Sequence, residues 1–487
     1  MAQLEDLDVL NCGIKEIVDN KKGSTREMIR FVFPRLRKLW LKSMLELRTF
    51  FSGRYSIQCT SLQDLNMFDC PRLKLFQATY LSCQERATDD KISIPIRRPF
   101  FNVEEVLSNL NALTVNNDDV DLILQSIHSQ EQFNKLELLM VTKFESEDTT
   151  FPYCFLENAQ NLELLVVHKS SFREVFHDQS IASEDGQDTI RTRLKTLFLN
   201  ELHDLGHICK EGFQIDPILQ RLEKIHVKQC SSLVNLVASS VTFAYLMHLK
   251  ATNCNGMINL ITCSTAKSLV NLTTIKIESC SLLQDIVNAN EIEKDEDIAF
   301  SRLETIELVS LPRLRKFCSC KCSLLFPLLE NVFVKECPRM EIFSMGDTSA
   351  PELQKVQIEE NNKQFYWEAD LNGTIHKMFE DKVSFCRFEY LILSDYPELR
   401  DFWYGKEYRN LFGYLKSLVV QKCEFLTDVL FTSNTLQVLH ELEELEVRNC
   451  DSLVTLFDVK GMNSNGAMVK QASKLKRLTF FPMGFLL

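Results

Sequence analysis

Residues 222–230 read LEKIHVKQC, a nine-residue unit that recurs along the whole chain. Ile225 and Val227 flank His226, so apolar and polar side chains alternate with the period of a half-buried strand. Cys230 follows Val227 by three residues, where the chain must turn inward. A small side chain that tolerates burial fits such a turn, and cysteine packs as a small hydrophobe. The frame returns as LTTIKIESC at 272–280, LENVFVKEC at 329–337, LKSLVVQKC at 415–423 and LEELEVRNC at 442–450. Weaker copies begin at Leu4, Leu36, Leu62, Leu110, Leu136, Leu162, Leu194, Leu246, Leu303, Leu353, Phe388 and Leu475. That makes seventeen copies, with starts mostly 24 to 33 residues apart.

Spacing inside the unit is kept while the intervening residues change freely, and the period is that of leucine-rich repeats. The expected fold class is therefore α/β: a leucine-rich-repeat solenoid, or horseshoe, spanning 1–487 as one body of about 17 repeats. Its parallel sheet would line the concave face, with irregular loops or short helices on the convex face. Eight cysteines (Cys12, Cys70, Cys230, Cys254, Cys280, Cys337, Cys423 and Cys450) occupy the turn slot, and packing accounts for them. Tails such as CPRMEIF at 337–343 end in a phenylalanine, so Phe76, Phe317, Phe343, Phe402 and Phe457 are expected to stack as an aromatic spine. Longer segments near 79–102 and 361–384 interrupt the period.

Composition agrees with a folded protein: 45% of residues are hydrophobic and 25% charged. A net charge of −12 argues against nucleic-acid binding through a globally basic surface. The start, MAQLEDLDVLNCG, carries acidic residues where an export signal needs an apolar run, and no stretch approaches a membrane span. Most of the 17 cysteines are accordingly read as reduced thiols in a cytoplasmic or nuclear protein. Cys318, Cys320 and Cys322 form the one dense thiol cluster, but no second ligand pair of zinc-site spacing is near them. The acidic run Glu291 to Asp297 reads as a solvated loop. His203-Asp204-Leu205 lacks the glycine-rich loop and D-F-G that a kinase needs. No catalytic, cofactor or metal site is expected.

The units FPLLENVFVKECPRMEIF at 326–343, FSRLETIELVSLPRLRKF at 300–317 and FCRFEYLILSDYPELRDF at 385–402 carry a family resemblance. They resemble the repeats of plant coiled-coil nucleotide-binding leucine-rich-repeat disease resistance proteins. Trp367-EADLNGTI also resembles a linker between late repeats of that family. The resemblance covers the chain from Leu4 to about Phe481. It implies a region that senses pathogen proteins or modified host proteins and holds a nucleotide-binding module inactive. This sequence departs from the family in lacking a G-x-x-x-x-G-K-[ST] loop; Lys22-GST has neither the spacing nor the lysine. Met247-His248-Leu249 sits inside a repeat strand rather than acting as a nucleotide-sensing tripeptide. No polar cap follows FFPMGFLL at 480–487, so the chain reads as the sensor end of a longer receptor, with no nucleotide-binding domain and no ATP affinity.

The residue between the two inner apolar positions of each unit would face outward from the core. On consecutive strands Met140, Val166 and Phe198 make an apolar run, followed by Lys224, His226, Lys228, Lys250 and Lys276. An apolar patch rimmed by one sign of charge suits a protein partner, with Phe198 as anchor and the lysines steering an acidic surface. Phe333, Ile392 and Val419, with Lys335 and Arg448, form a second candidate. The partner is expected to be a pathogen or host protein, or an absent nucleotide-binding module; no nucleic acid, membrane or second copy is expected. Two alternatives stay open: a substrate adaptor of a ubiquitin ligase, although no F-box-like helical module fits before Leu4, and a receptor fragment acting as decoy.

Overall fold

The computed structural model describes residues 2–19, 28–77, 100–126, 133–145, 151–152, 154–176, 193–209, 221–237, 241–289, 297–358, 365–385, 389–394, 415–423, 426, 429–431, 439, 441–450, 452–457 and 474–481. The chain forms two compact units, Met1–His376 and Lys377–Leu487. Each of the seventeen sequence units carries a strand. In the first unit these are β1 (Asp6–Leu10), β2 (Lys38–Lys42), β3 (Asp64–Phe68), β4 (Ala112–Val115), β5 (Leu138–Thr142), β6 (Leu164–His168) and β7 (Thr196–Asn200). They continue with β8 (Lys224–Lys228), β9 (His248–Thr252), β10 (Thr274–Glu278), β11 (Thr305–Val309), β12 (Asn331–Lys335) and β13 (Val356–Gln357). These thirteen lie in one sheet in chain order, closed at its edge by Phe365–Tyr366, which runs antiparallel to β13. In the second unit β14 (Tyr390–Ser394), β15 (Ser417–Gln421), β16 (Glu444–Arg448) and β17 (Arg477–Phe481) form a parallel sheet of their own.

The repeat strands pair without offset, so equivalent residues of successive repeats stack: Leu139 on Leu165, Leu165 on Leu197, Leu197 on Ile225 and Ile225 on Leu249. These inner positions are buried in every case. Burying one face of every strand fixes the register, because a slip of one residue would turn the apolar set outward.

How the chain leaves each strand explains the rest of the motif. Thirteen non-glycine residues, from Asn11 to Asn449, have φ between 48° and 57°, and each is the eighth residue of its unit. The left-handed conformation costs an L-residue roughly 1–2 kcal/mol, and asparagine and aspartate, which tolerate it best, fill four of the thirteen positions. Stacking offsets the cost, since the amide of this residue donates to the next strand's last carbonyl: Gln229 to Thr252 at 2.9 Å, Asn253 to Glu278 at 2.9 Å. The turn then presents the slot cysteine to the core. Its thiol reaches two carbonyls, as Cys337 does at Lys335 (3.3 Å) and at Leu308 of the previous repeat (3.6 Å). Burial pushes the Cys70 thiol up to about 11, so it stays protonated as a donor.

The fourth unit breaks this pattern for a local reason. Asn116 accepts a hydrogen bond from the Asp119 amide at 3.0 Å and so starts the helix Asn117–Ser126 where other units turn left-handed.

The return side is more regular than its sequence suggests. Instead of irregular loops alone it carries short parallel ladders, including Asn259–Thr262, Asp285–Asn288 and Lys316–Cys318. Each of these three strands begins thirteen residues after the start of its unit, which brings the same backbone groups opposite one another in successive turns. The aromatic spine is present locally: Phe317 stacks on Phe343 at 4.7 Å and Phe300 on Phe326 at 5.3 Å. Phe431 and Phe457 stack within the second unit. Phe402, residues 291–296 and most of the segment near 79–102 lie outside the described residues. The interval near 361–384 holds a helix, Leu371–Phe385, with Leu371, Ile375 and Met378 buried at helical spacing. Asn372 ties its start to Ser344 and Gly346.

Among the described residues no helix is long and apolar enough to cross a membrane.

Candidate recognition face

Alternation sends the first, third and fifth residues of each five-residue strand away from the core. Met140, Val166 and Phe198 are third residues of β5, β6 and β7 and sit side by side in register, half-buried. His226, Lys250 and Lys276 continue the row on β8, β9 and β10. The expected apolar run and its basic neighbour thus share one face. Phe198 stacks on His226 with ring centroids 4.6 Å apart.

A cavity of about 330 Å³ opens on the apolar part of this face. Trp40, Leu41, Lys42, Asn66 and Phe68 line one side, and Met140, Val166, His168, Phe198 and Asn200 the other. The opposed walls come from β2 and β3 and from β5 to β7, with β4 between them. Thr114 of β4 and Thr142 and His168 beside it are 1%, 3% and 6% exposed, although they point away from the core. Sequence reasoning named the third residues of β5 to β7 and passed over the fifth residues of β3, β6 and β7, which are Phe68, His168 and Asn200. The signal was available: residues two apart on a strand share a face.

Electrostatics divide the face. Lys276 is paired with Glu307 at 2.5 Å, which trims the basic run predicted from sequence. Lys224, Lys228 and Lys250 have no carboxylate partner among the described residues. Burial, followed by the charges of Lys250 and Lys228, pushes the His226 imidazole down to about 4, so it is neutral at pH 7. Burial also lowers His168, and burial with Lys224 lowers His248. Positive charge beside the cavity is therefore carried by these three lysines on one side and by Lys42, which lines it, on the other.

The second candidate is divided between the units. Phe333 lies in the first unit, with Glu307 and Gln357 as its row neighbours. Ile392 and Val419 pair with each other in the second, where Arg448 bonds Glu446.

The thiol cluster holds a further member that spacing did not single out. Cys318, Cys320 and Cys322 are buried with their sulfurs within 4.8 Å of one another, and Cys320 is joined to Cys263, 57 residues away. Burial pushes the Cys318 thiol up to about 12, so it is a poor thiolate donor for a metal at neutral pH.

With the sheet, its register and its turns in view, the chain can be compared with known proteins. The family model described as plant disease resistance protein RPS2-like, leucine-rich repeats, matches residues 107–243, 237–362 and 387–483. The chain belongs to this family. Two curated members of related name are similar to it, both from Arabidopsis thaliana. The probable disease resistance protein At1g61310 is 29% identical over 155 residues, which is 32% of this chain and 16% of that protein. The probable disease resistance protein At1g61190 is 29% identical over 129 residues, 24% of this chain and 13% of that protein. The stretches that match thus span less than a fifth of either relative. In this RPS2-like chain the candidate face lies on β2–β9, and the matched residues begin within the helical turn before β4.

Proposed function

We propose that this chain is a protein-recognition module of a plant intracellular immune receptor, working in the cytoplasm or nucleus, and that it performs no catalysis. The exposed face of the first unit's sheet would be the binding side, and the partner would be a pathogen or modified host protein. One observation carries the reading: Met140, Val166 and Phe198 lie in register beside three lysines that no carboxylate among the described residues neutralises. Clustered apolar anchors with a charged rim are what protein interfaces share, the anchors giving affinity and the rim steering encounter. The family's disease resistance relatives supply the biological setting.

A photocrosslinking amino acid placed at Phe198 in leaf cells tests this, with one at Glu330, on the flank of a later repeat, as control. The expected result is a protein adduct specific to position 198 that disappears when Lys224, Lys228 and Lys250 are all changed to Glu. The same adducts at both positions, indifferent to the lysines, would sink the proposal. An adduct to a nucleotide-binding module would assign the face to that module instead of a pathogen or host protein.

A further inference from the structure

The cavity carries a polar feature that an apolar interface does not require. Asn200 Nδ2 donates to His168 Nδ1 at 2.7 Å and also to Glu201 Oε1 at 3.3 Å. Those two bonds orient the amide and leave the imidazole proton on Nε2. His168 Nε2 and Asn200 Oδ1 are then a buried donor and a buried acceptor without partners among the described residues. Both residues line the cavity, and His168 is 6% exposed. Thr114, Thr142, His226 and Thr252, on the same face, also hold unpartnered buried polar atoms. Native proteins leave few such groups unmet, so a row of them along one face marks a place where an incoming ligand supplies the partners.

We infer that the cavity receives a tyrosine side chain of the partner, presented by an acidic segment; this deepens the recognition reading above and rests on it. Walls made by Trp40, Phe68, Met140, Val166 and Phe198 favour an aromatic body, through ring-edge and thioether contacts. The Nε2 donor and the Oδ1 acceptor favour a tip that both accepts and donates. Phenylalanine offers neither, and indole donates only. Serine and threonine are too small for about 330 Å³, while asparagine and glutamine bring no apolar body. Tyrosine meets both demands.

Charge complementarity fixes the flanking sequence. Lys224 and Lys228 stand one strand beyond Phe198, and Lys250 two strands beyond it. Strands are about 4.8 Å apart, and an extended chain advances roughly 3.3–3.6 Å per residue. Carboxylates two to four residues from the tyrosine therefore reach the lysines.

The test uses the full chain and two probe pairs. Ligand-observed NMR compares p-cresol with toluene, and fluorescence anisotropy compares labelled peptides YGDED and FGDED. The expected results are p-cresol favoured over toluene by about tenfold, and YGDED over FGDED by a similar factor. Asn200→Leu should abolish both preferences while circular dichroism shows the fold retained, and His168→Phe should do so independently. The Lys224→Glu, Lys228→Glu, Lys250→Glu triple variant should lose peptide binding and keep p-cresol binding. Equal affinity for p-cresol and toluene, or no binding of either, overturns the tyrosine inference. If peptides still bind through the lysines in that case, the recognition reading survives it. Selective p-cresol binding with peptide affinity indifferent to the lysines overturns the acidic segment and the recognition reading together.

Discussion

The ring of Phe68 lies 5.1 Å from the imidazole of His168, although β4 and β5 separate their strands. Three strand spacings would put them about 14 Å apart on a flat sheet. The approach is possible because β3 pairs with β4 only through Asp64–Ala112 and Leu65–Leu113, leaving its last three residues free of that partner. Lys143 and Asp69 form an ion pair across the same gap at 2.5 Å.

Removing that ring tests the closure directly. Phe68→Ala should destabilise the first unit by about 2 kcal/mol, below the range for fully buried phenylalanines because this one is half-buried. It should also let the His168 pKa rise toward its ordinary value, since burial is the main cause of its depression. Urea melts and a histidine NMR titration measure the two effects; a His168 pKa that stays low would show that Phe68 is not the cover.

Asp119 gives a pH dependence of definite sign. Burial pushes its carboxyl up to about 7 from an ordinary 3.8, and its Oδ2 has no partner among the described residues. A carboxyl raised in the folded state supports folding most below pH 3.8, and that support is lost as pH rises through about 7. Asp119→Asn should therefore gain stability relative to the parent between pH 5 and about 8. Urea midpoints that shift equally at both pH values would rule this out.

Left-handed turns predict a residue-specific tolerance. Gln229 has φ 54°, so Gln229→Val should cost about 1–2 kcal/mol, while Gln229→Gly should stay within about 0.5 kcal/mol of the parent. Thermal melts of the two variants decide it, and a valine as well tolerated as glycine would contradict the turn assignment.

Gly256 tests how tightly successive repeats close. A Cβ there would sit 2.0 Å from the Ser231 carbonyl oxygen and 3.0 Å from its carbon, both backbone atoms of the preceding repeat. Gly256→Ala should cost about 2–3 kcal/mol, visible as a lower urea midpoint, whereas Gly13→Ala, with nothing within 4 Å, should not. Equal midpoints would mean the two repeats can part at little cost.

Much of this was legible in one dimension. The alternation in Ile225-His226-Val227 and its sixteen counterparts placed the strand of each repeat and its inner face, because a strand's period is two and one face must be buried. The slot cysteines marked where the chain turns inward. Adjacency of Met140, Val166 and Phe198 followed from strand order alone. Ladders on the return side did not show, since they depend on backbone groups of successive repeats coming level. Cys263 was silent for the same reason: its neighbour Cys320 is two repeats away.

Local periodicity, then, determined the repeat strands and their frame, each set by residues within nine positions of one another, and units of eighteen residues carried the family resemblance. The tertiary structure decided which outward side chains meet. Trp40 and Phe68 face Met140 and Phe198 across β4, and Glu307 neutralises Lys276 while Lys224, Lys228 and Lys250 have no carboxylate partner among the described residues. Those pairings depend on how far neighbouring strands separate and bend, a sum over several repeats that no single repeat encodes.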